Sequence, residues 1–378
     1  MDTLMREINI SQVDAIFVNG SYPIELLIYY KNKIKSKNIR SALKKLAFDF
    51  WPIFGEYHAG VIQFDDYSEN QHFEETSIDE VFDPHESPRV IYDRHRQFIP
   101  SGLKKLFYLK MIQYKNGTVL IPRLNHLVGD GYSYFHFLSA LAAISRVKLL
   151  PFKKNLIRNL YKPHHNRTVL REFNFNETDF KPLKDTEKLV IKVEEISKTM
   201  IRKMIKDINS DLNQRVSSND ILSAIVFQKL AKVQKNYMVD YFQLTIPIDM
   251  RRKIKEYGAR FFGNGIMFNV INFKVIDWDK LDTPELAIKI RESMPAMTKE
   301  SFIKFLVHLE SIIAGRQFSK LRPFIPERGI LVTNLSRLPA NKLNFGTGDA
   351  DFIFPLTIEK NSAAILANKE NYILRLAY

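Results

Sequence analysis

The pattern of apolar and polar positions is most informative between Thr118 and Leu138. An apolar run, Thr118-Val119-Leu120-Ile121-Pro122-Arg123-Leu124, carries branched residues and predicts a buried strand. Gly129-Asp130-Gly131 supplies turn residues. Tyr134, Phe135, Phe137, Leu138, Leu141 and Ala142 then recur at helical spacing. His126 thus sits where a strand ends and a tight turn opens a helix. Just upstream, Leu106 to Ile112 predicts another strand, and Asn116-Gly117 predicts the hairpin turn that joins the two.

The same reading extends to both sides. Leu26 to Tyr30 predicts a strand, and Ser41 to Phe48 a helix with Ser41 as its N-cap. Trp51-Pro52 ends that helix, because the residue before proline disfavours helix. Residues 65–100 are polar and irregular and read mostly as loop with short helical pieces. Residues 148–187 have no sustained period and form the best linker. Beyond them, Leu189 to Val193 predicts a strand and Ser197 to Leu212 a helix capped by Ser197. Ser217-Ser218-Asn219-Asp220 caps a further helix from Ile221. Phe242 to Asp249, Ile266 to Val275 and Ile330 to Asn334 predict strands. Pro284 to Met297 and Ser301 to Phe318 predict helices.

At 378 residues the chain exceeds the roughly 250–300 residues at which single cores usually divide. Two mixed α/β domains are therefore expected: residues 1–160, a crossover linker at 161–186, and residues 187–378. Cysteine is absent, which removes a disulfide framework, a thiolate nucleophile and a Cys-based metal site. Met1 to Glu7 lacks a basic-then-apolar signal pattern, and no apolar run approaches the roughly 18 residues of a membrane span. A cytoplasmic location is expected. The formal net charge of +14 fits either an anionic partner or a solvated lysine-rich surface. Because the lysines are spread along the whole chain, charge alone decides little.

The chemistry that these residues offer is narrow. A histidine titrates near pH 6.5 and suits proton abstraction at neutral pH, so His126 is the candidate general base. Asp130, four residues later, invites a charge-relay reading. No Ser lies in a GxSxG elbow. There is no GxGxxG between a strand and a helix, no GxxxxGK[ST], and no HExxH, EF-hand or zinc spacing. His164-His165 are adjacent and cannot chelate one metal well. No nucleic-acid recognition motif is present.

Four stretches, in order and at similar spacing, resemble the BAHD acyltransferases and the wider superfamily of chloramphenicol acetyltransferase, carnitine acyltransferases and condensation domains. They are His126-Leu127-Val128-Gly129-Asp130-Gly131 (HxxxDG), Asp249-Met250-Arg251 through Phe262-Gly263-Asn264, Thr333-Asn334-Leu335-Ser336-Arg337-Leu338-Pro339, and Asn344-Phe345-Gly346-Thr347-Gly348. Ile10-Ser11-Gln12-Val13-Asp14 and Trp51-Pro52-Ile53-Phe54-Gly55 also look like family features. The chain departs from the pattern at Leu335, where the family has tryptophan, and at Asn344 and Thr347 in the late DFGWG turn. Asn125 stands where condensation domains have a first histidine.

The resemblance implies two chloramphenicol-acetyltransferase-like subdomains, each a mixed β-sheet flanked by helices, with an active-site channel between them. It implies a monomeric acyltransferase of secondary metabolism that uses acyl-CoA as cosubstrate, with no permanently bound cofactor and no metal. The acceptor would be a small-molecule alcohol or amine, attacking directly with His126 as base. By family position Asp130 faces away from the imidazole and pairs with Arg251, Gly131 keeps the turn open, and Thr333 stabilises the oxyanion. Ser217, Ser218, Arg252 and Lys253 are candidates for the phosphorylated coenzyme, although each also fits a solvated surface. The alternatives are a carrier-protein-dependent condensation-type enzyme and a non-catalytic binding protein of the same fold.

Overall fold

The computed structural model describes residues 5–18, 22–96, 106–146, 189–210, 215–233, 241–258, 260–274 and 280–378. The linker expected at 161–186 and the pair His164-His165 lie outside the described residues.

Two large sheets carry the molecule. In the first, the hydrogen-bonded order is Phe352–Pro355, Ile24–Tyr30, Gly117–Leu124, Phe107–Tyr114 and Phe73–Ser77. All its pairings are antiparallel except that of Phe73–Ser77 with Phe107–Tyr114. The strand Gly117–Leu124 is buried along its whole length because both of its faces are covered. Leu120 and Leu124 join one core with the helix Gly131–Ser145. Val119 and Ile121 join another with Ile191 and Ala377 of the second sheet. A strand buried on both sides reads as a continuous apolar run, not an alternation, which is why the sequence marks it so clearly. The hairpin before it closes with Tyr114 opposite Gly117, as Asn116-Gly117 predicts.

The second sheet has the order Ile266–Lys274, Tyr241–Asp249, Gly329–Asn334, Ser362–Ala367, Asn371–Ala377 and Ile191–Ser197. Gly329–Asn334 runs parallel to both its neighbours. Apolar residues of the helices Lys198–Asn209, Ser218–Val233 and Thr283–Ser293 pack on one face of this sheet. The architecture is therefore mixed α/β, with two sheets each flanked by helices. One strand departs from the order of the chain. Phe352–Pro355 belongs to the second half in sequence, yet it pairs with Ile24–Tyr30 of the first sheet.

Several local expectations change. The first long helix is Ser36–Ala47, entered from Lys35 without a side-chain cap, so Ser41 lies in its interior. It ends before Trp51-Pro52, which instead open a short helix, Trp51–Phe54, with proline in its first turn, where its missing N–H costs nothing. The polar stretch 65–100 holds the expected helical pieces, among them Pro88–Arg96, and also an edge strand, Phe73–Ser77, that was not expected. Ser197 caps its helix as predicted. The helix expected from Ile221 starts earlier, at Ser218.

Candidate active site

His126 lies just past the end of the Gly117–Leu124 strand, in a single 3-10 turn, His126–Val128. Asn125 caps that turn by accepting the Leu127 N–H at 3.0 Å. Asp130 then caps the helix Gly131–Ser145 through the Ser133 N–H, also at 3.0 Å. Two polar caps in six residues fix the backbone where the chain changes direction.

Asp130 is turned away from the imidazole. Its two oxygens accept from Arg251 Nη1 and Nη2 at 2.8 and 2.9 Å, and the Gly265 N–H adds a bond at 2.9 Å. Arg251 is 4% exposed and Asp130 2%, so water screens the bidentate pair little. Burial would raise the Asp130 carboxyl, but Arg251 and the two N–H donors outweigh it and hold the group below its usual range. The other guanidinium bonds go to the Gly263 carbonyl at 3.0 Å, the Phe261 carbonyl at 3.2 Å, Ser133 Oγ at 3.1 Å and Asp249 at 3.0 Å. A side chain at Gly265 would place its Cβ 2.9 Å from Arg251 Nη1, so the arginine occupies space that only glycine leaves free.

A second bracket holds His126 from its main chain. Asn264 Nδ2 donates to the His126 carbonyl at 2.8 Å and to Asp14 Oδ1 at 2.7 Å. The other oxygen of Asp14 accepts the Ser11 N–H at 2.8 Å in a capping box. Phe17, a few residues on, stacks against the His126 ring with centroids 3.8 Å apart and planes 21° apart. Burial lowers the His126 pKa to about 4, against the opposing pull of the Asp130 charge. The imidazole is therefore neutral at pH 7 and able to accept a proton.

Thr333 is half-buried near the end of Gly329–Asn334, opposite Ala364. The bend that follows reaches the histidine turn: a Cβ on Gly131 would meet Leu335 Cδ2 at 2.9 Å. Asn334 Nδ2 donates to Asn219 Oδ1 at 2.9 Å, which ties this bend to the start of Ser218–Val233. Ser218 is the first residue of that helix. The Ser217 hydroxyl donates to Asp220 at 2.9 Å, and Asp220 also pairs with Arg291. Arg252 and Lys253 are exposed on the turn after Arg251.

The fold thus gathers Asp130, Gly131 and Arg251 around the His126 turn and links the Ser218 helix to the neighbour of Thr333. Sequence reasoning passed over Ser133, whose buried hydroxyl donates to the Gly263 carbonyl at 2.9 Å and accepts the Gly263 N–H at 3.0 Å. It also assigned no role to Phe17, or to Asp14 within the noted Ser11-Gln12-Val13-Asp14 segment. The capping-box spacing of Ser11 and Asp14 was the available signal for the latter. Among the described residues no group of three His, Asp or Glu is placed to hold a metal ion, and no helix is long and apolar enough to cross a membrane.

Comparison with known proteins fits this geometry to one class. The structure matches TRI101 of F. graminearum, solved with ethyl coenzyme A, at a TM-score of 0.76 and 12% identity, covering 99% of this chain and 95% of that one. It matches vinorine synthase at 0.72 and 16%, covering 99% and 94%. The fold is that of these enzymes. Residues 76–371 match the family described as the Transferase family, and the chain belongs to it, which bears out the BAHD-type resemblance. A curated relative, piperamide synthase of Piper nigrum, is 22% identical over 280 residues. That match takes in 70% of this chain and 57% of the relative's length.

Proposed function

We propose that this protein is an acyl-CoA-dependent O- or N-acyltransferase acting on a small-molecule acceptor. The observation that carries the reading is the division of labour in the HxxxDG turn. The carboxylate is committed to Arg251, while the imidazole is neutral and held from its main chain by Asn264. A half-buried neutral base without a carboxylate partner suits one proton transfer in each direction.

In this reading the acceptor hydroxyl or amine attacks the thioester carbonyl carbon as His126 takes its proton. The carbonyl oxygen gains the negative charge, and the Thr333 hydroxyl is the proposed donor to it. The intermediate collapses by breaking the C–S bond, and the imidazolium returns its proton to the departing thiolate. No acyl-enzyme forms. Asp130 and Arg251 keep the turn in place, and Gly131 leaves room beside Leu335. The coenzyme enters a channel between the two sheets from the side of Ser217 and Ser218, with Arg252 and Lys253 available to its phosphates. The acceptor enters from the other end. The protein acts as a cytoplasmic monomer. Support also comes from the structural neighbours solved with coenzyme A, two of them together with T-2.

The test is a panel of acyl-CoA thioesters incubated with a metabolite pool and read by mass spectrometry, with His126→Ala as the control. New acylated products that vanish with the variant are expected. Products formed equally by His126→Ala would overturn the mechanism.

A further inference from the structure

His126 must carry a positive charge for the interval between taking the acceptor's proton and returning it. Burial opposes that charge. The Asp130 charge offsets part of that opposition, and an aromatic face lies directly against the ring. Phe17 lies parallel to the imidazole at 3.8 Å and 21°. The other described phenylalanine–histidine contacts are tilted towards edge-on: Phe54 with His72 at 87°, Phe82 with His95 at 74° and Phe50 with His136 at 67°. Neutral aromatic pairs favour offset or edge contacts, whereas a cation favours the centre of a ring face. Among these phenylalanine–histidine pairs the parallel one is at the histidine that the mechanism protonates; the parallel ring of Tyr67 on His72 is offset, with centroids 5.8 Å apart.

We propose that Phe17 is a positioning residue of the transfer reaction that holds the His126 ring plane and stabilises the transient imidazolium through its π-face. This rests on the reading of His126 as general base. The placement of Phe17 is itself built. The residue is 1% exposed, and its N–H donates to the Asp14 carbonyl at 2.9 Å. Asp14 in turn accepts the Asn264 amide that also holds the His126 carbonyl. Ring and backbone of the base are thus fixed through one short N-terminal segment. Phe17 itself forms no bond: the acceptor bonds to the acyl carbon as the C–S bond breaks, the acceptor's proton moves to the imidazole and then to the thiolate, and Phe17 acts only on the charged interval.

The experiment replaces Phe17 by 4-fluoro-, 3,5-difluoro- and 3,4,5-trifluorophenylalanine, which keep the shape of the ring while draining its π-face. Turnover is measured with acetyl-CoA and the acceptor that the acyl-CoA panel identifies. The His126 pKa is followed in the same proteins by NMR of labelled histidine. Stepwise loss of kcat, reaching about threefold to tenfold, is expected, together with a falling His126 pKa and unchanged KM for acetyl-CoA and melting temperature. Phe17→Leu should lose at least as much kcat. A kcat and a His126 pKa that stay flat across the fluorinated series, or losses that simply track melting temperature, would overturn the proposal. The two readings fail separately. A fully active His126→Ala rejects the base, whereas an inactive His126→Ala beside a flat series rejects Phe17 alone.

Discussion

Asp130 presents both carboxylate oxygens to Arg251, at 2.8 and 2.9 Å, and not to His126 four residues earlier. The arginine comes from the end of a strand 121 positions away. The pair therefore fastens one sheet's turn to the other sheet's strand end. Removing one partner of a buried ion pair costs roughly 3–5 kcal/mol. Asp130→Asn should lose stability of that order in urea denaturation and lose activity with it. A variant of normal stability with a displaced pH–rate profile would instead restore a charge-relay role.

Gly131 and Leu335 make a second testable contact. Gly131→Ala places a methyl group 2.9 Å from Leu335 Cδ2, and overpacking of this kind costs about 1–3 kcal/mol. Leu335→Ala removes the obstacle. The double variant should recover most of the loss, giving a favourable coupling energy in a double-mutant cycle. Additive losses would mean that the two residues do not meet.

The pH dependence follows from two histidines, His95 buried and His126 half-buried. Burial lowers His126 and His95 each to about 4, while an unfolded chain holds histidine near 6.5. Between those values the unfolded state binds protons that the native state does not, so stability falls as pH drops from about 6.5 to 4. Melting temperature should decline over that interval, less steeply in His95→Gln. Turnover should hold its plateau down to about pH 5 and fall only as His126 protonates. A midpoint for the acid limb near 6.5 would contradict the burial argument.

Thr333 is tested by the split between kcat and KM. Loss of one oxyanion donor typically costs about 10²–10³ in kcat. Thr333→Val, which keeps shape and removes the hydroxyl, should lower kcat on that scale with little change in the KM for acyl-CoA. Thr333→Ser should retain most activity. Equal activity in Thr333→Val would leave this residue as an ordinary member of its strand.

Legibility in the sequence followed physical cause. The central hairpin and the His126 turn were readable because both faces of Gly117–Leu124 are buried and the turn residues are local. Ser41 misled because a helix can begin without a cap when packing holds it, and here Ile39, Leu43 and Leu46 are buried. The edge strand Phe73–Ser77 was hidden because three of its five residues are exposed, which leaves little apolar signal. Arg251 was found only through motif order, since nothing local to it announces a partner 121 residues away. Ser133 and Phe17 were missed for a related reason. A buried hydroxyl between helix and bend, and one phenylalanine among 28, carry no periodic mark.

The strand Phe352–Pro355, lent by the second half to the first sheet, limits how this protein can move and how it can be divided. Expressed alone, residues 1–188 would lack that strand and leave the backbone of Ile24–Tyr30 open along one edge, which is a template for aggregation. In the intact chain the same loan acts as a strap. Swinging the sheets apart like a clamshell would require unzipping that ladder of backbone hydrogen bonds. On the proposed reading of His126, its substrates would reach it without the two sheets parting.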